Sequence, residues 1–158
     1  NENSNGPRNW SFNLAGLTLG MICGGVIALK FVVSRPMFFA IVVIALSSLW
    51  NFSLAMSAPL LLTMGGAFIA GIALEVLMVN WHTAMQTHIP EESFSRVSAY
   101  DAFGSFALAP LGVVAAGPLA MYYGVHSILW ATGGVTVLCA LLVLLVRSVR
   151  NLKLISAD

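Results

Sequence analysis

Five long apolar stretches, separated by short polar breaks, organise this chain: about 11–29, 37–56, 60–81, 98–121 and 127–146. Each lies near the ~20 residues that carry a helix across a ~30 Å hydrocarbon layer. Backbone polar groups find no water there, so the stretches are expected to be helices. The short alternating strands of a membrane barrel do not occur. The pattern predicts an all-α, polytopic membrane protein with five transmembrane helices, multi-pass in a cell membrane (plasma or inner), with the lipid bilayer as its first partner. Composition agrees: 59% of residues are hydrophobic and 8% charged, against roughly a quarter charged in soluble domains.

Charge placement orients the helices. If the stretches alternate in direction, Lys30, Arg35, Arg96, Arg147, Arg150 and Lys153 share one face, and Arg8 stands alone opposite. Short loops rich in Lys and Arg mark the cytoplasm, so the N-terminus is expected outside and the C-terminus inside. Trp10, Tyr122 and Tyr123 then fall at outer boundaries and Trp81 near an inner one, where amphipathic rings settle. A net charge of +1 without a basic run gives nucleic acid nothing to bind. Five helices starting outside, on a chain opening with Asn1 and no basic leader, suggest a piece of a longer protein.

The first stretch sets Gly16, Gly20, Gly24 and Ala28 at four-residue spacing on one face, a device for close helix approach in lipid. The second starts at Pro36, is purely apolar over 37–46 and becomes more polar through Ser47, Ser48, Asn51 and Ser53. Its serines read as bonding back to their own helix. The third, opened by Pro59, is narrow through Gly65, Gly66, Ala67, Ala70, Gly71 and Ala73. It then carries Glu75, His82 and Gln86, and spacings of seven and eleven residues place the latter two each within about 20° of Glu75; Met78 and Met85 flank them. One polar stripe on an apolar helix must face other helices or water. In the fourth stretch Ser98 and Asp101 are spaced like a capping pair, and Pro110 and Gly117–Pro118 predict bends. The fifth is bare of charge, with Thr132 and Thr136 its only hydrogen-bonding side chains, and reads as lipid-facing. Cys23 and Cys139, inside apolar runs and without CxxC spacing, read as small packing residues; no metal site or cofactor is expected.

Several segments resemble the C-terminal half of a major facilitator superfamily transporter, within the twelve-helix proton-linked exporters of drugs, macrolides and siderophores. The resemblance rests on Asn80-Trp81-His82-Thr83-Ala84-Met85-Gln86, Ile89-Pro90-Glu91-Glu92 and Ser95-Arg96-Val97-Ser98-Ala99-Tyr100-Asp101. It continues through Pro110-Leu111-Gly112 and Ala116-Gly117-Pro118-Leu119-Ala120. It implies that the five stretches are helices 8–12, and that helices 1–7 are a missing partner of the same protein. Gly25, Lys30 and Arg35 resemble a worn copy of the family's loop motif, with Leu29 in place of its acid and Val32 in place of its second glycine. Gly117–Pro118 resembles the family's antiporter bend, with Gly112 one position off the expected spacing.

The fold so implied rocks two halves about a midplane site, with a small-molecule substrate and protons as the transported partners. Glu75 is the leading candidate for proton coupling or substrate contact, because an acid amid apolar helix is expensive and usually carries a function or a partner. A structural hydrogen bond to a neighbouring helix is the rival reading. His82 and Gln86 extend the candidate path. Asp101 either complements its helix dipole or pairs with Arg96 or Lys30 as an inner latch. Glu91 and Glu92 read as solvated loop. Competing functions are a transporter of the same fold without proton coupling or working inward, and a five-helix scaffold or subunit that transports nothing. An enzyme has no HExxH, paired-Asp or nucleophile–His pattern behind it.

Overall fold

A computed structural model describes residues 6–30 and 36–146, which form five helices and, among the described residues, no strand. The helices are α1 (Gly6–Lys30), α2 (Pro36–Ala55), α3 (Leu60–His88), α4 (Glu91–Tyr123) and α5 (Val125–Leu145). Four of them, α1, α3, α4 and α5, are long and apolar enough to cross a membrane; α2 contributes the shorter apolar stretch Ile41–Ala55. Arg35, Arg147, Arg150 and Lys153 lie outside the described residues.

Proline and glycine chemistry sets the helix ends. Ile89 adopts φ −105°, ψ 125° and ends α3, the extended conformation that a following proline imposes. Pro90, at φ −57°, ψ 143°, then precedes α4, whose first turn carries Glu91 and Glu92 where the helix dipole favours anions. The fourth helix therefore starts seven residues before the expected 98. Ser98 and Asp101 lie inside it rather than at its cap, and Ser98 Oγ is buried without a hydrogen-bond partner. The helix runs on through Pro110 and Pro118, leaving the carbonyls of Phe106 and Val114 without their usual donors. Gly124, at φ 82°, joins α4 to α5 in a conformation that glycine adopts freely.

The α2–α3 turn closes with two bonds, Ala58 N–H to Ser53 O at 2.9 Å and Ser57 N–H to Leu54 O at 3.0 Å. This is the Schellman pattern, and its left-handed residue is Ser57 at φ 50° rather than the usual glycine.

α3 is the centre of the bundle, packed on α1 and on α2; α2 packs in turn on α5, and α4 rests on α5. The α1–α3 seam is a parallel pairing of small residues. Gly16 lies on Met64, Gly20 on Phe68 and Gly24 on Ile72, while Gly71 lies reciprocally on Leu17 and Met21. A methyl group at Gly20 would meet the carbonyl oxygen of Phe68, and one at Gly71 that of Leu17. The small-residue face of α1 thus finds its partner within the chain, with dispersion contacts and no bulky side chain between the backbones. On the other side of α3, Gly66 sits so close to α2 that an added Cβ would lie 2.9 Å from Trp50 Cα. Gly133 of α5 lies under the Phe52 ring, whose centroid is 5.1 Å from that of Trp130.

The core is accordingly small: Ala67, Ala73 and Val76 of α3 are almost fully enclosed, whereas Leu29 is 80% exposed, Leu61 81% and Met121 90%. Large apolar side chains point outward and small ones inward, the reverse of a water-soluble core and an arrangement suited to lipid. Helix directions place Lys30 and Arg96 at one end of the bundle and Arg8 at the other.

Candidate functional site

Glu75 lies where the glycine face of α1 meets α3. A Cβ built on Gly24 would stand 3.0 Å from Glu75 Cβ, and one on Gly25 would stand 3.7 Å from Cγ and 3.9 Å from Oε1. The carboxyl therefore extends over Gly25, at ordinary contact distance from where a Cβ there would stand. Glu75 is half-buried there.

The rest of the polar stripe does not join it. The pairing 16–64, 20–68, 24–72 runs out near residue 78, where α1 ends at Lys30, and α3 continues alone to His88. His82 and Gln86 share Glu75's face but project past the end of α1, and both are exposed. Gln86 lines a shallow cavity of about 250 Å³ with Ile89, Glu91 and Phe94, beneath the α3–α4 break. His88 contacts its own helix, Nδ1 to Ala84 O at 3.0 Å.

Asp101 takes neither proposed cationic partner. Its Oδ2 accepts the indole N–H of Trp81 at 3.3 Å. Arg96 is five residues away on α4, about 140° around the helix, and Lys30 is exposed at the end of α1. The contact that joins α3 to α4 is thus an aromatic donor and a carboxylate. Gly117, like Gly104 and Gly112, has nothing within 4 Å of an added Cβ, so the Gly117–Pro118 step of α4 stands in open space.

The opposite end of the bundle holds a polar junction absent from the sequence expectations. Asn13 of α1, only 3% exposed, donates to Asn9 O at 2.9 Å and to Thr63 Oγ1 of α3 at 3.2 Å, and its Oδ1 accepts Trp50 Nε1 of α2 at 3.2 Å. Thr63 in turn donates to Leu60 O at 3.0 Å. One asparagine thereby ties three helices, and its side chain uses both functions of its amide. The legible signal was an asparagine three residues before Gly16, on the face of the glycine stripe. Trp10 lies near-parallel to Trp50, centroids 6.3 Å apart. Beside them His126 Nδ1 contacts Ala55 O at 2.6 Å, linking α5 to the end of α2. A cavity of about 510 Å³ opens among Trp10, Trp50, Asn51, Leu54, His126 and Leu129.

Among the described residues no group of three or more His, Cys, Asp or Glu side chains is placed to hold a metal ion. Cys23 and Cys139 are free and exposed, so they face outward rather than filling the helix interfaces as their apolar surroundings suggested. No family model, curated protein or solved structure matches this chain.

Proposed function

We propose that this chain is part of a membrane transporter of the major facilitator type, exporting a hydrophobic or amphipathic small molecule by alternating access with proton entry as the driving force. The observation that carries the reading is Glu75, a single carboxyl over a glycine of the neighbouring helix, deep in two long apolar segments. A carboxylate at such a depth costs a few kcal/mol unless it is paired, protonated or watered. The hydrogen bonds of the described residues give it no protein partner, which disfavours the purely structural rival. Protonation removes the charge, and entry of water on one side lets the proton leave; coupling that change to rocking of the helix pair is the chemistry of proton exchange. Helices 1–7 would supply the facing wall of the substrate path, and a plasma or inner membrane would be its place.

A non-transporting scaffold or subunit is favoured by one different observation. The glycine face of α1 is consumed by α3, but Gly104, Gly112 and Gly117 of α4 remain open for a partner helix. The two readings separate in cells lacking their own exporters that express the complete protein. Glu75→Gln is expected to abolish the pH dependence of dye or drug efflux at unchanged membrane abundance. Efflux that proceeds with its native pH profile removes Glu75 from the mechanism, and absence of any transport by the native protein favours the scaffold.

A further inference from the structure

The cavity beside the Asn13 junction has the makings of a binding site distinct from the Glu75 seam. Its volume of about 510 Å³ lies in the range of about 300–1,000 Å³ usual for small-molecule sites. Its walls come from α1, α2 and α5, and it lies where α1 begins and α2 ends, the level at which interfacial tryptophans settle if the helices span a bilayer. Two indoles line it with ring centres 6.3 Å apart. The rings stack near-parallel, and Trp10 is half-exposed, so a cation on the outer face of the pair lies within the ~6 Å over which an aromatic face attracts it. His126 Nδ1 faces a carbonyl, which only accepts, so the ring carries its proton there and its Nε2 is an acceptor when neutral. Asn51 adds an amide donor suited to a phosphate or ester oxygen, while Leu54 and Leu129 provide an apolar floor. Among the described residues no Asp, Glu, Lys or Arg lines the space, so they offer an anionic head no countercharge.

We propose that this cavity seats a phospholipid with an ammonium head group, its cation on the exposed Trp10 side of the Trp10–Trp50 stack and its chains along α2 and α5. The assignment rests on the membrane part of the proposed function and is independent of transport and of Glu75.

The test uses the purified protein in maltoside micelles, with bound lipid counted by native mass spectrometry. Short-chain phosphatidylcholine is compared with phosphatidylglycerol of equal chain length, and tetramethylammonium chloride is added alone as competitor. Preferential retention of the choline lipid is expected, falling three- to thirtyfold in Trp10→Leu and less in Trp10→Phe, in line with the strength of cation–π contacts. Tetramethylammonium is expected to displace the lipid. Trp10 is half-exposed, so folding of the Leu variant is checked by its thermal midpoint. Should Trp10→Leu unfold, Trp10→Phe against native carries the comparison, with a smaller but measurable loss expected. Equal retention of both head groups, or no loss in a folded Trp10 variant, overturns the assignment. Failure of the protein to co-float with liposomes overturns the membrane reading instead.

Discussion

The indole N–H of Trp81 donates to Oδ2 of Asp101 at 3.3 Å, a side-chain bond between α3 and an α4 that otherwise rests on α5. Trp81 is partly exposed, so the bond contributes little to overall stability; its effect is on where α4 sits. Replacing Trp81 by Phe keeps the ring and removes the donor, whereas Asp101→Asn keeps an acceptor oxygen. Spin labels on α3 and α4 should report a broader interhelical distance distribution in Trp81→Phe and a near-native one in Asp101→Asn. Arg96→Gln should leave the distribution unchanged. Broadening caused by Arg96→Gln would restore the cationic latch that the sequence suggested.

The α1–α3 seam makes a sharper statement about stability. Ala at Gly20 or at Gly71 drives a methyl into a backbone carbonyl of the partner helix, and backbone cannot swing aside as a side chain can. Each variant should lose about 1–3 kcal/mol, the usual range for overpacking. Gly65→Ala and Gly117→Ala meet nothing within 4 Å and should be neutral or gain up to ~1 kcal/mol from helix propensity. Unfolding in mixed micelles compares all four. Equal losses across the set would mean that the seam is not close-packed.

How much of this was legible follows from what each residue needs in order to act. Gly16, Gly20 and Gly24 announced a close interface through spacing alone, because four-residue periodicity fixes a helix face. Spacing names no partner, and it took the parallel α1–α3 register to supply one. That register also explains why Glu75, His82 and Gln86, aligned in sequence, do not form one chain of groups: α1 ends level with residue 78. Asn13, Trp50 and Thr63 carry one polar group each on three helices, so no local pattern connects them. The start of α4 was misplaced because hydropathy marks where an apolar stretch begins, while the helix begins where Pro90 permits.

The Asn13 junction should behave as a coupled unit. Asn13→Ala leaves the indole N–H of Trp50 without its acceptor, while Thr63 keeps its bond to Leu60 O, and an unsatisfied buried group costs about 1–3 kcal/mol. Thr63→Val removes the acceptor of the Asn13 amide and the local bond to Leu60 O. In a double-mutant cycle the Asn13–Thr63 coupling should fall near ~0.6 kcal/mol, typical of interhelical hydrogen bonds in membrane proteins, and not above ~1.7. Strict additivity would show that the 3.2 Å contact contributes nothing.

Ser57 holds a left-handed backbone at φ 50° in a motif that glycine usually fills. The strain of an L-residue there is roughly 1 kcal/mol. Ser57→Gly relieves it but adds freedom to the unfolded chain, so the net gain should be at most about 0.5–1 kcal/mol. Ser57→Val, β-branched and unsuited to positive φ, should lose stability in the same unfolding assay. A stabilised Val variant would contradict the turn geometry.

Neighbouring glycines allow packing and proton chemistry around Glu75 to be separated. Ala at Gly24 would stand 2.9 Å from Ile72 Cα and 3.0 Å from Glu75 Cβ, both inside ordinary contact, so the variant should unfold more readily. Ala at Gly25 meets Glu75 only at 3.7 and 3.9 Å, a comfortable distance, and should fold as native. Its methyl group nevertheless covers the carboxyl on the side facing α1 and takes space that water would use. If protons pass through Glu75, Gly25→Ala should alter the pH profile of transport by the complete protein at native stability. A carboxyl that serves only to pack α1 against α3 predicts the opposite pairing, an unchanged profile in Gly25→Ala and a stability loss in Glu75→Gln.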